Sequence, residues 1–343
     1  MNRRRQGARL AAVAGTAAAG AAIAWAASRP DRGPLHVRDP EWAELHRDLG
    51  AQALSVASFD GTRLHADVLG PPGAPVIVLA HGYVLSARAW HYQVRDLAGE
   101  FRVVAYDQRG HGRSQTAASG DYSIQALGRD LAAVLDAAAP DGVPAVVAGH
   151  SMGGMSVLSF AEQFPDAVPA RLAGAVLLST TAADVVRGSV FSAGSALVAT
   201  VLGAAAAKAV GLRPPQRVHD HDVALFLTRL IGLAPSASPA HVAFTQQLAL
   251  SCPKEVSASV LPALTALDVR EAAGRLGVPT LVMVGAADRI TPPGAARELV
   301  SLLPSGELVV LPGVGHMAPL EAHRDVTAHL RAFARRCLER PAA

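Results

Sequence analysis

The sequence predicts an α/β protein with a mostly parallel central sheet, helices on both faces and an inserted helical cap. Three observations carry that prediction. Short, continuously apolar runs recur at 75–80, 101–106, 143–148, 172–179, 278–284 and 307–311. Amphipathic stretches at 124–138, 152–164, 295–303 and 324–338 separate most of them. One interval, from about 180 to 278, breaks the alternation. Runs apolar at every position are strands covered on both faces, as in parallel sheets whose crossover helices bury them. The long interval exceeds an ordinary αβ connection and reads as an insertion.

The N-terminus comes first. Arg3, Arg4, Arg5 and Arg9 precede an uncharged, Ala-rich stretch at 10–28. A positive flank followed by an apolar run is the pattern of an export signal or membrane anchor. It places residues 1–28 in that role and the rest of the chain outside the cytoplasm; a cytoplasmic protein with an Ala-rich leading helix is the alternative. Residues 29–50 are polar and Pro-punctuated, a linker leading into a short helix. Residues 55–68 alternate around Asp60-Gly61, a two-residue hairpin signal. The α/β core then divides into 51–182 and 263–343, with a helical cap at 183–262. Within the cap, 189–212 is apolar and reads as a helix over the site rather than a second membrane span.

Composition narrows the function classes. The chain has 343 residues, half of them apolar and 17% charged, a globular balance that needs no disulfide or metal staple. Two cysteines, Cys252 and Cys337, exclude a disulfide scaffold; whether they pair is left open. The net charge of +3 belongs to the terminus. Removing its four arginines from 31 basic residues leaves 27 against 28 acidic ones. Without a basic, aromatic-interleaved face, no nucleic-acid partner is expected.

The chemistry concentrates in Gly149-His150-Ser151-Met152-Gly153, directly after an apolar run and before a helical stretch. That context makes Ser151 a candidate nucleophile on a strained turn, with glycines where side chains would clash. A serine hydroxyl needs a base. His316, in Gly313-Val314-Gly315-His316 after the last strand, is the candidate. A carboxylate must then orient the imidazole. Asp288, after the preceding strand, suits the chain order, and Asp184 is the alternative. The N–H of Met152 and the N–H of Tyr83, in His81-Gly82-Tyr83, are candidate oxyanion donors. The His81 side chain reads as a brace for that loop. His219-Asp220-His221-Asp222 lacks the spacing of a metal site, so no metal and no cofactor are expected.

Four motifs together carry a resemblance: H-G-Y at 81–83, D-Q-R-G-H-G-R-S at 107–114, G-H-S-M-G-G at 149–154, and G-A-A-D with G-V-G-H at 285–288 and 313–316. In their order and spacing the chain resembles the α/β-hydrolase fold family, over about residues 55–180 and 263–338. The resemblance implies a Ser151–His316–Asp288 triad, a cap after the sixth strand, and a site-lining turn at 107–114. Serine rather than aspartate at the elbow sets the chain apart from the family's epoxide hydrolases and dehalogenases. G-H-S-M-G-G is similar to monoacylglycerol lipases, carboxylesterases and haloperoxidase-like esterases. The expected function is cleavage of a small-molecule ester or lipid through an acyl-enzyme. The same triad could serve amide, thioester, lactone or carbon–carbon hydrolysis, or perhydrolysis. A non-enzymatic binding protein is the contrasting class. The motifs leave the oligomeric state open.

Overall fold

The computed structural model describes residues 35–139, 142–185 and 220–338. The sheet has eight strands: β1 (Gln52–Ala57), β2 (Arg63–Leu69), β3 (Val76–Ala80), β4 (Arg102–Tyr106), β5 (Ala145–His150), β6 (Leu172–Leu178), β7 (Thr280–Gly285) and β8 (Gly306–Leu311). Their order is β1-β2-β4-β3-β5-β6-β7-β8. β2 runs antiparallel to β1 and β4, and the other neighbours are parallel. The expected fold class is present, mixed at one edge and parallel through its centre.

The apolar runs become strands because both sheet faces are covered. β3, β5 and β7 are buried at every position. Successive side chains alternate between faces. Val78 and Ala80 join a core with Leu131 and Phe160 from helices Ile124–Ala138 and Met152–Gln163. Ile77 and Leu79 join the opposite core, with Trp90 and with Phe333 of helix His323–Leu338. Burying each large apolar side chain contributes roughly 1.5–3 kcal/mol. Ser123 caps helix Ile124–Ala138 by accepting from Ala126 N at 3.1 Å.

One expectation, the two-residue hairpin, needs correction. The β1–β2 connection is the five-residue loop 58–62, closed by Ser58 N donating to Thr62 O at 2.9 Å. Asp60-Gly61 therefore sits inside a longer loop, with Asp60 Oδ1 accepting from Thr62 N at 3.1 Å. The expected cap boundary at 262 falls inside helix Lys254–Thr265, which carries Pro262 in its interior. The expected linker 29–50 is docked where it is described. Its helix Pro40–Leu45 is N-capped by Asp39, which accepts from Glu41 N at 3.1 Å. Asp39 also accepts from Ala240 N at 3.2 Å, and His46 bonds Gln247 at 3.0 Å.

The described part of the insertion holds helices Asp220–Gly232, Pro239–Ser251 and Lys254–Thr265. A third apolar cluster joins it to the core through Leu45, Leu85, Tyr92, Phe244, Leu248 and Met317. No helix among the described residues is long and apolar enough to cross a membrane. The segment 1–28, the stretch 189–212 and His219 lie outside the described residues. Cys252 and Cys337 form no disulfide with each other.

Candidate active site

β5 delivers Ser151 at the carboxyl edge of the sheet. Its φ of 53° and ψ of −118° lie in a region that side chains rarely occupy. The surroundings hold it there. Ser151 N donates to Leu178 O at 2.9 Å, and Thr180 Oγ1 donates to Ser151 O at 2.7 Å. The flanking glycines allow the approach. A Cβ on Gly149 would lie 2.4 Å from the Gly153 carbonyl, and one on Gly153 would lie 2.2 Å from Ala80 O. The turn therefore tolerates only glycine at both places, the reason the pentapeptide has its spacing.

His316 stands in the loop after β8, and Asp288 in the turn after β7. His316 Nδ1 is 3.0 Å from Asp288 Oδ2 and 3.1 Å from Oδ1. A carboxylate only accepts, so Nδ1 carries the proton and donates, leaving Nε2 as the basic nitrogen. Asp288 is held by three further donors: Ile290 N and Thr291 N at 2.9 Å, and Thr291 Oγ1 at 3.0 Å. Burial pushes this carboxyl up, but the neighbouring imidazole and the donors outweigh it and hold it below the usual carboxylate range. Asp184, the alternative acid, is exposed, and its charge acts on Arg270. The carboxylate bonded to His316 is Asp288.

The elbow and the base loop adjoin through His150, the residue before the serine. Its Nε2 donates to His316 O at 2.9 Å, and the two rings lie 4.9 Å apart. Burial, and then the neighbouring His316, push the His150 imidazole down to about 3, so it stays neutral. Ser151, His316 and Asp288 are all buried.

The H-G-Y loop lies against the elbow. A Cβ on Gly82 would be 3.1 Å from Ser151 Cβ and 3.0 Å from His150 Nδ1. Among the described residues the Tyr83 N–H has no backbone acceptor. The Met152 N–H opens helix Met152–Gln163, in the turn that lacks intrahelical acceptors. The Tyr83 hydroxyl donates to Ser257 O of helix Lys254–Thr265 at 2.8 Å. His81 braces the loop from beneath. Gln108 N donates to His81 Nε2 at 3.0 Å, so His81 Nδ1 carries the proton and donates to Gly82 O at 2.7 Å. Burial first, and His111 second, hold this imidazole well below the ordinary histidine range.

Sequence reasoning missed the roles of Thr291, His150 and Gln108. Each had a local signal: a hydroxyl three residues after the acid, the variable position of the elbow, and the second residue of D-Q-R-G-H-G-R-S. Among the described residues no group of histidine, cysteine and carboxylate side chains could hold a metal ion. The arrangement offers a hydroxyl on a strained turn, an oriented imidazole and two N–H donors beside it. That is the equipment of acyl transfer.

Comparison with known proteins fits this geometry. Residues 72–323 match the family described as serine aminopeptidase, S33. A bifunctional esterase/perhydrolase from Acinetobacter calcoaceticus is 29% identical over 82% of this chain and 99% of its own length. A monoacylglycerol lipase from Mycolicibacterium smegmatis is 31% identical over 76% of this chain and 89% of its own. Among solved structures, a thermophilic esterase from Thermogutta terrifontis superposes with a TM-score of 0.65 at 28% identity, covering 84% of this chain and 99% of that one.

Proposed function

The chain belongs to the serine aminopeptidase S33 family and is an esterase/lipase-type α/β-hydrolase; from that premise we propose that it cleaves carboxylic esters through a Ser151–His316–Asp288 triad and an acyl-enzyme. The observation that carries the reading is the His316–Asp288 bond at 3.0 Å beside a serine at φ 53°. His316 Nε2 takes the Ser151 proton as Oγ attacks the ester carbonyl. The Tyr83 and Met152 amides receive the oxyanion, each such donor worth roughly 3–4 kcal/mol of barrier. His316 returns the proton to the leaving alcohol as the C–O bond breaks. Water, deprotonated by the same imidazole, then releases the acid and restores Ser151.

The relative named as a monoacylglycerol lipase favours an apolar acyl group. The relative named as an esterase/perhydrolase favours a second use of the same acyl-enzyme. Hydrogen peroxide in place of water would release a peroxycarboxylic acid. Residues 1–28 place the enzyme outside the cytoplasm in this reading, a point that fractionation of cells expressing the full chain tests directly. The decisive experiment is peptide mapping after fluorophosphonate treatment, followed by an ester panel of increasing acyl length. One adduct, on Ser151 and lost in Ser151→Ala, supports the reading. Modification elsewhere, or none, removes it.

A further inference from the structure

The loop that carries His316 has its backbone donors bound in an unusual direction. Gly315 N donates to Glu321 Oε2 at 3.1 Å, and Met317 N donates to Glu321 Oε1 at 3.0 Å. His316 N and Met317 N both reach Gly232 O, at 3.1 and 3.2 Å. Gly232 is the last residue of cap helix Asp220–Gly232. Glu321 Oε2 also accepts from Ala234 N, just past that helix, at 2.7 Å. One carboxylate thus binds the residues on both sides of His316 and the end of the cap helix. Contact is close enough that a Cβ on Gly315 would lie 2.5 Å from Ala234 N.

Three consecutive N–H groups, at 315, 316 and 317, are therefore fixed by Glu321 and by the cap. A loop held this way cannot swing its central side chain away from Asp288 without breaking charge-assisted bonds, which are stronger than neutral ones. Burial pushes the Glu321 carboxyl up, while its three backbone donors pull it back. Among the described residues the titratable groups facing His316 are Asp288, His150 and Glu321.

We propose that Glu321 is the positioning residue for His316, joining the base loop and the end of cap helix Asp220–Gly232 into one unit so that seating of the cap sets the alignment of the base. The proposal rests on the reading of His316 as the general base. It makes the cap a part of the acid–base apparatus as well as a cover. It also places a second carboxylate where the imidazolium forms.

The test is Glu321→Gln in the full chain, assayed on a short-chain p-nitrophenyl ester. Rates are counted per site titrated by a fluorophosphonate, with thermal unfolding alongside. Glutamine keeps the shape but turns an acceptor into a donor that opposes the backbone N–H groups. The expected result is a kcat at least tenfold lower with KM little changed, and the acid limb of the kcat/KM profile moved to lower pH. A lower unfolding temperature with kcat per titrated site and pH profile equal to wild type would overturn the proposal. If Glu321→Gln does not fold, Gly315→Ala makes the same test by separating the cap end from the loop with Glu321 intact. Unchanged kcat per site in Gly315→Ala would overturn it equally. Failure of the wild type to label at Ser151 is a separate result, which removes the triad reading itself and this proposal with it.

Discussion

In the site proposed above, the acid–base half and the oxyanion half are built in opposite ways. Around Asp288 the polar atoms are engaged: the carboxylate takes two backbone donors, a hydroxyl and an imidazole. Across the serine, the Tyr83 N–H has no backbone acceptor among the described residues, and the Met152 N–H opens its helix. The difference follows from when each half acts. The base must be in one tautomer and one place before substrate arrives. Oxyanion donors work only if they remain open for charge that appears later. What is saturated in one half and open in the other is a single strategy, preorganisation, applied to two different moments.

Substitutions can break that contrast, in descending order of effect. Ser151→Ala removes the atom both halves serve, and kcat should fall on the order of a millionfold, with the fluorophosphonate adduct abolished. A rate within about tenfold of wild type would end the triad reading. Asp288→Asn should cost about ten-thousandfold by presenting the wrong hydrogen-bonding partner to Nδ1, while Asp184→Asn stays near wild type. The reverse outcome in steady-state kinetics would transfer the acid's role to Asp184. Thr291→Val deletes one donor from a saturated carboxylate. A net bond worth about 1 kcal/mol predicts a loss of kcat of roughly five- to tenfold, and a loss above about a thousandfold would mean the threonine does more than hold Asp288.

The smallest effect treats both halves alike. Burial pushes His150 down to about 3 and His241 down to about 4, and His81 well below its ordinary range. In the unfolded chain a histidine takes up a proton near pH 6.5, and these native side chains do not. Their contribution to stability is complete above about pH 6.5 and is lost as pH falls toward 4 and 3. Unfolding temperatures measured from about pH 7 to about pH 4 should decline. His241→Asn, remote from Ser151 along the chain, should flatten that decline; an unaltered slope would exclude His241 as a contributor.

Most of the sheet was legible because its signals are local. A run such as Val76–Ala80, apolar at every position, reads as a strand covered twice. The elbow was legible because Gly149 and Gly153 answer to steric contacts within their own turn and the strand beside it. The roles of His150 and Glu321 were not, since each acquires its part from a partner brought by another element. Nothing around Glu321 announces that Ala234 will donate to it from 87 positions away. The hairpin failed for a related reason: Asp60-Gly61 is a good turn pair, but Asp60 is also wanted by Arg109, which reaches it at 3.2 Å. Tertiary demand enlarged the loop.

Asp39 has a practical consequence. By accepting from Glu41 N and Ala240 N it engages the first turns of two helices at once, Pro40–Leu45 at the chain's entry into the fold and Pro239–Ser251 in the cap. A recombinant form trimmed to the first strand would spare the whole sheet. It would still unfasten the cap at Ala240 and strip Leu45 from the cluster that holds Phe244 and Leu248. The sensible boundary for an expressed fragment therefore lies ahead of Asp39, and resistance to proteolytic clipping between 46 and 51 would serve as a simple gauge of whether the cap is latched.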